Sequence, residues 1–256
     1  MKRLWFLLAF VVLFTMACSL TSLLPTGENN APAATPLPPT ARPTAQPERP
    51  TSQPRPTSPP KPTAAPPQQN NVLFRDDFSN PKSGWDRVHD SETGNITDYD
   101  HGHYRILVNE PRTDVWANPG RYFEGDVVVK VDALPNNGPE DDDFGLICRY
   151  EDPSNYYFFV ISSDGYAGIG KMFHDEQIML TGGGNMIEVP IPKGSKKTYH
   201  LRAACVGSRL TLFVNGKQIL EATDTDLTAG DVGLMAGTFD EPGTDILFDN
   251  LVVRRP

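Results

Sequence analysis

Four side chains have the types that a binding site for a small polar molecule needs: Trp116, Arg149, Tyr157 and Lys171. Aromatic rings pack against the apolar faces of sugars, and Arg and Lys donate hydrogen bonds to hydroxyl and carboxylate groups. Arg149 follows Ile147 at a spacing of two in a strand-like run, so alternation predicts that it projects from the open face of a sheet. The alternatives are an ion pair between Arg149 and a carboxylate, and core positions for Trp116 and Tyr157. If the four share one open groove, we expect a ligand to bind there.

The histidines and cysteines allow two further kinds of chemistry. His101 and His103 form an H-x-H pair that would place both rings on one face of a strand. Zinc needs a third and a fourth ligand, which the neighbouring sequence does not supply, so we expect surface or turn histidines. Cys148 and Cys205 lie in strand-like runs flanked by apolar residues. They form either a cross-strand disulfide or two buried small apolar side chains.

The elements that must position these residues are short β-strands. Apolar runs recur about every ten residues with Gly, Asn and Asp between them, and no run of helical period exceeds a turn or two. This pattern predicts an all-β, two-sheet antiparallel sandwich or jelly roll. Asn215-Gly216 suits a two-residue hairpin turn, and the acidic run 140–143 reads as a solvated turn. The expected strands, after an opening strand near 72–78, are 103–108, 113–118, 125–134, 144–150, 155–162, 166–172, 199–206, 209–214, 217–222, 232–237 and 246–254.

The most apolar β segment of the chain is 144–171, which reads as three strands joined by two polar turns. Its middle strand, Tyr156–Ile161, is too apolar to have one face in water. We therefore place this strand inside a sheet that is covered on both sides.

The N-terminal 70 residues differ in composition from the rest. Residues 1–18 begin with Lys2 and Arg3, continue as an apolar run and end at Ala17-Cys18. They resemble a bacterial lipoprotein signal peptide, which implies that Cys18 is lipidated and that the protein is exported and held at the cell membrane or outer membrane. Residues 19–70 hold fifteen of the 25 prolines, mixed with Thr and Ala. Such a segment is expected to be a disordered tether, which leaves 71–256 as one folded domain.

Charge excludes one class of partner. Six basic and two acidic residues precede Asn71, so the other 17 basic and 30 acidic residues give the domain a formal net charge of −13. A surface this acidic repels phosphate backbones, so we do not expect nucleic acid as a partner.

Five motifs in the domain resemble the concanavalin A-like lectin/glucanase superfamily, close to laminin G-like jelly rolls and to the 3-keto-disaccharide hydrolase domain. The motifs span almost the whole of 71–256. They are DDF with Trp85 after it, FGLICRY followed by YYFFVISSDGY, LRAACVGSRLTLFVNGKQI, GDVGLMAGTF and ILFDNLVV.

The resemblance implies a structural calcium ion, held by Asp249 of the last strand with Asp77 near the first. Oxygen ligands on an acidic domain suit this ion, although Asp249 could equally cap a turn. The glucanases of the superfamily carry E-x-D-x-x-E along one strand, and this chain lacks that pattern.

Three hypotheses for function follow. The first is a non-catalytic surface domain that binds a glycan or an envelope polymer. The second is a structural or protein-interaction module, which should show a large exposed apolar patch and no aromatic-lined groove. The third is a hydrolase of modified disaccharides, which would need polar residues such as Asp143, Arg149 and His174 in one cleft.

Overall fold

The computed structural model describes residues 71–256. The predicted signal peptide, the lipidation site Cys18 and the tether 19–70 lie outside the described residues. Within 71–256, no helix is long and apolar enough to span a membrane.

The domain is an all-β sandwich of two antiparallel sheets, as the sequence predicts. Sixteen strands follow one another in chain order. They are β1 (Val72–Asp76), β2 (Val88–His89), β3 (Ile96–Asp100), β4 (His103–Val108), β5 (Asp114–Ala117), β6 (Val127–Asn137), β7 (Asp143–Asp152), β8 (Asn155–Ser162), β9 (Tyr166–Phe173), β10 (Glu176–Met179), β11 (Ile187–Glu188), β12 (Tyr199–Val206), β13 (Arg209–Val214), β14 (Lys217–Thr223), β15 (Asp231–Gly237) and β16 (Thr244–Arg254).

Sheet A has nine strands in the order β14-β13-β12-β6-β16-β4-β3-β2, with β1 also paired to β16. Sheet B has seven strands in the order β10-β9-β8-β7-β15-β5, with β11 paired to β9. Strands far apart in sequence are neighbours in both sheets. This non-local pairing is typical of jelly rolls.

The main core lies between the two sheets and is built by alternation. In β6, Val127, Val129 and Val131 are buried while Val128 and Lys130 between them are partly exposed. This period of two sends one face of the strand inward.

The disulfide between Cys148 and Cys205 joins β7 of sheet B to β12 of sheet A across the main core. Both cysteines are fully buried, and their Cα atoms are 6.9 Å apart. The cross-strand disulfide is therefore confirmed.

Both faces of β8 are covered, as its apolar sequence predicts. Tyr157, Phe159 and Ile161 face the main core, and Tyr156, Phe158 and Val160 belong to a second, smaller apolar cluster. That second cluster lies on the open face of sheet B, by which we mean the side that faces away from sheet A. Within residues 71–256 no third sheet covers the cluster; Met179 of β10 and Met186 after β10 pack against it instead.

The local turn predictions have two outcomes. Asn215 and Gly216 both have positive φ, as the predicted type I′ hairpin requires. His101 and His103 do not share a strand face, because His101 lies in an exposed turn at φ 49° and only His103 belongs to β4. The expectation of turn or surface histidines therefore holds for His101.

Candidate functional site

The predicted groove of Trp116, Arg149, Tyr157 and Lys171 does not exist, because three of the four side chains point away from the open face. Tyr157 is fully buried toward the main core, and Arg149 and Lys171 are 2% and 6% exposed. The three do lie close together, around the segment that follows β14.

Arg149 departs from strand alternation for a local reason. The pairing of β7 with β8 is irregular between Cys148 and Asp152, and Arg149 itself has φ 52°. This bulge turns the side chain inward, where it donates to the carbonyls of Leu227 and Gly207 and to Asp126 at 3.1 Å. The ion-pair alternative is correct, and the open-face prediction is wrong.

Lys171 and Tyr157 share an acidic partner. The Lys171 ammonium lies 2.6 Å from Asp224 and also contacts Asp226, while the Tyr157 hydroxyl donates to Asp224 at 2.6 Å. The backbone NH of Leu227 donates in turn to the Tyr157 hydroxyl. This network holds the segment between β14 and β15 against the sandwich, so its role is structural.

Trp116 is the one member of the predicted groove on the open face of sheet B. Its ring is partly buried and lies 5.7 Å from that of Tyr156, which in turn lies 5.6 Å from the ring of Tyr150. Together the three rings form an aromatic layer over Ile147 and Met235.

Two carboxylates lie on the same face. Asp114 precedes Trp116 by two residues in β5, and Asp143 begins β7; both are partly exposed. Gly237 of β15 lies between them, directly opposite Asp114. A methyl group at Gly237 would lie 2.3 Å from an oxygen of Asp114 and 2.3 Å from an oxygen of Asp143. These two oxygens are therefore no farther apart than twice that distance, so the two carboxylates are neighbours across Gly237.

The surroundings of this pair favour the protonated form. Desolvation, and next the charge of Asp114, raise the pKa of Asp143 well above its usual value. Desolvation also raises the pKa of Asp114. No cationic side chain within residues 71–256 forms an ion pair with either carboxylate. Paired, desolvated carboxyls of this kind mark candidate functional sites.

A cavity of about 370 Å³ opens directly beside the pair. Asp143 lies in its wall, and the other walls are apolar or uncharged. This cavity, with the Asp114–Asp143 pair and the adjoining aromatic layer, is called the sheet B cleft below. The remaining residues that line the cavity are Phe158, Val160, Gln177, Met179, Gly184, Asn185, Met186 and Phe239.

A larger cavity of about 500 Å³ lies beside β1 and β16, where Asp76 and Asp77 are located. The Asp76 carboxylate already accepts from the Trp85 indole at 3.0 Å and from the NH of Phe78 at 2.9 Å. Because the buried carboxylate of this larger cavity, Asp76, is already engaged, we favour the sheet B cleft as the functional site.

The predicted calcium ligands do not form a cage of acidic side chains. Asp77 accepts from Ser79, and Asp249 accepts from the NH of Asn250. Residues 71–256 contain no group of three or more His, Cys, Asp or Glu side chains that could hold a metal. Calcium at Asp77 and Asp249 stays a prediction, and it would depend on backbone carbonyl oxygens for most of its ligands.

The predicted hydrolase set does not converge either. Asp143 and Arg149 lie six residues apart along β7, which is about 20 Å at ~3.3 Å per residue, and Arg149 is turned inward. His174 is exposed in the turn after β9, with its ring against Phe173.

Sequence reasoning missed Asp114 and treated Asp143 as part of a solvated run. That run is half buried, since Asp142 accepts from the NH of Phe239 and from Thr244 and is 2% exposed. One signal was present: D-x-W in a predicted strand places Asp114 on the same face as Trp116.

No family model matches the sequence, and no curated protein matches it. Solved structures do resemble the fold. The carbohydrate-binding module CBM66 from Bacillus subtilis aligns at a TM-score of 0.53 and 16% identity, over 67% of this chain and 95% of its own. The fold is a jelly-roll sandwich.

Two further jelly rolls show the range of proteins on this fold. A protein of unknown function with a galectin-like fold from Bacillus subtilis aligns at a TM-score of 0.54 and 15% identity, over 73% of this chain and 97% of its own. An endo-β-galactosidase from Clostridium perfringens that releases GlcNAcα1-4Gal aligns at 0.51 and 10% identity, over 75% and 64%. At these identities the likeness shows the fold alone.

Proposed function

We propose that this jelly roll is a non-catalytic recognition domain that binds a glycan in the sheet B cleft. The observation that carries the proposal is a cavity with Asp143 and the rings of Phe158 and Phe239 in its wall, and with Asp114 beside Asp143 across Gly237. Carboxylates accept hydrogen bonds from sugar hydroxyls, and aromatic rings pack against the apolar faces of sugar rings. The volume lies at the lower end of the range for ligand pockets, about 300–1,000 Å³, which suits one or two sugar units.

The geometry of the carboxylate pair favours binding over glycoside hydrolysis. Retaining glycosidases keep their two carboxyls about 5–5.5 Å apart, and inverting enzymes about 6.5–9.5 Å. The facing oxygens of Asp114 and Asp143 are closer together than either range.

The surface also favours a cleft over a broad protein-docking patch. The exposed large apolar side chains of residues 71–256 are spread over β1, β2, β9 and β11 and over two loops, after β5 and after β15. They are Leu73, Val88, Tyr122, Tyr166, Ile187 and Phe239.

Truncating the exposed aromatic ring of the cleft is expected to weaken glycan binding about tenfold, because a lost ring contact of about 1.4 kcal/mol corresponds to that factor. Phe239 lines the cavity and is 46% exposed, so Phe239→Ala should not disturb the core. A ligand would first be found on a glycan array, and its affinity then measured by calorimetry.

Tyr122→Ala is the matched control, since Tyr122 is 70% exposed and lies outside the cavity lining. It should bind as tightly as the wild type. An array without any bound glycan, or equal loss of affinity in both variants, would contradict the proposal.

We also propose that the domain is displayed on the outside of a bacterial cell by a lipid on Cys18 and the tether 19–70. Replacing Cys18 with Ala is expected to abolish incorporation of labelled fatty acid and to release the protein from the membrane fraction, because stable anchoring needs two or more acyl chains. Ser19→Ala should keep both properties. Retention of the label in the Cys18 variant would refute the anchor.

A further inference from the structure

We propose that the sugar unit in contact with Asp114 and Asp143 is an amino sugar with a free amine, whose ammonium group lies against the two carboxylates. This inference rests on the proposed glycan binding and names the class of glycan. It follows from the charge of the cleft and from the contacts that its side chains lack.

The first step is the unbalanced charge of the cleft. Asp143 lies in the cavity wall, with Asp114 beside it across Gly237. The cavity lining contains neither Lys nor Arg. At the rim, Arg112 is already paired with Asp240 at 2.7 Å. A ligand therefore meets net negative charge that the described part of the domain does not neutralise.

The second step is the comparison of possible sugars. A uronic acid or another anionic sugar would bring a third negative charge to a desolvated pair, which is strongly unfavourable. A neutral sugar can donate hydroxyl hydrogen bonds to the pair but leaves its negative charge unbalanced. An ammonium group donates three hydrogen bonds and offsets one of the two negative charges in a geometry that charge-assisted hydrogen bonds favour.

The third step is the set of titratable and charged groups that face the pair. Asp142, just before β7, is engaged by Phe239 and Thr244, and Tyr156 on β8 carries a hydroxyl whose pKa burial raises, so neither supplies a positive charge. Gln177 of β10 and Asn185 line the cavity and are uncharged. β15 contributes only Gly237 at this point.

The inference predicts a pH profile with a definite sign. Desolvation and the neighbouring charge raise the pKa values of both carboxyls. An ammonium favours the ionised carboxylates, so affinity should rise as the pH rises through these raised values and fall again when the sugar amine loses its proton. Where the pair is still partly protonated, binding should therefore release protons to the buffer.

The test compares two oligosaccharides matched in length and linkage: a tetramer of glucosamine and its fully N-acetylated counterpart. Calorimetry over a series of pH values, each in two buffers of different ionisation enthalpy, gives both the affinity and the number of protons released. We expect the free-amine tetramer to bind at least tenfold more tightly and to release protons. Asp143→Asn should bind the two tetramers with about equal affinity. Phe239→Ala should lower the affinity for both tetramers by the same factor.

Glu221→Gln separates contact in the cleft from general attraction to an acidic domain. Glu221 is exposed on β14 of sheet A, away from the cavity lining. Its replacement removes the same charge as Asp143→Asn, so this variant should keep the preference for the free-amine tetramer. Asp143→Asn should be at least as stable as the wild type, since a carboxyl with a raised pKa in the folded state lowers stability once the pH exceeds its unfolded pKa. Asp114→Asn is a second variant with the same expected loss of preference.

The outcomes distinguish this inference from the proposed function. If the acetylated tetramer binds as tightly as the free amine, or if Glu221→Gln loses the preference as Asp143→Asn does, the amino-sugar inference is wrong while glycan binding stands. If no glycan binds at any pH, the proposed function itself fails.

Discussion

Removing the disulfide between Cys148 and Cys205 is expected to lower the free energy of unfolding by roughly 4 kcal/mol. The bond closes a loop with a sequence separation of 57 residues, and a loop of that length gives about this value in the chain-entropy model. Small domains are stable by only about 5–15 kcal/mol, so the loss is a large fraction of the total. The measurement is urea unfolding of the Cys148→Ala, Cys205→Ala double variant.

Unfolding of the wild-type domain under reducing conditions provides the control, because it removes the bond without truncating either side chain. Both should shift the urea midpoint in the same direction. If the reduced wild type unfolds at the same midpoint as the oxidised protein, the bond does not stabilise the domain. The position of the bond makes that outcome unexpected, since it joins the two sheets through the core.

Replacing Lys171 with Met is expected to cost about 3 kcal/mol. Breaking a buried ion pair typically costs about 3–5 kcal/mol because a buried charge loses its partner. The value should fall at the low end, since the Lys171 and Asp224 side chains are 8% and 12% exposed but that of Asp226 is 38% exposed. Thermal and urea unfolding would both report the change.

Lys193→Met is the matched control. Lys193 pairs with Glu188 at 2.8 Å, but both side chains are more than half exposed. A surface pair of this kind contributes about 0–1 kcal/mol, so the control should unfold close to the wild type. Equal destabilisation by the two variants would contradict the structural role that we assign to Lys171.

The Lys171 effect should also depend on pH. Burial alone would raise the pKa of Asp224, but hydrogen bonds from Lys171 and Tyr157 outweigh it and lower that pKa. Burial alone would lower the pKa of Lys171, but hydrogen bonds to Asp224 and Asp226 raise it. The stabilisation is therefore present above the ordinary Asp pKa of 3.8 and lost as the pH falls through the lower folded value of Asp224. At high pH, the stabilisation is present below the ordinary Lys pKa of 10.5 and is lost as the pH rises through the raised pKa of Lys171.

Much of the fold could be predicted because β-strands leave a local signature. The predicted strands at 155–162, 199–206 and 209–214 agree with β8, β12 and β13 at both ends. The short strands β2 and β11, with two residues each, carry too few residues to show any period. β3 and β10 were missed as well, because polar residues interrupt their alternation.

The candidate site was harder to predict because its residues meet only through pairing between distant strands. Asp114 and Asp143 come from β5 and β7, which are not neighbours in sheet B; β15 runs between them. Gly237 of β15 lets the two carboxylates approach because it has no side chain to separate them. None of the three residues is unusual within its own segment.

The sequence by itself determined the all-β class and the doubly covered strand 155–162, because alternation and composition are local properties. For the two domain cysteines it left two choices, a disulfide or two buried thiols. The tertiary structure decided which side chains face a ligand. A bulge turned Arg149 inward, the acidic segment after β14 took Tyr157 and Lys171 into a buried network, and only Trp116 stayed on the open face. Sheet order then brought Asp114 and Asp143 together beside the cavity, since hydrogen bonding between strands, and not their order along the chain, sets which residues are neighbours.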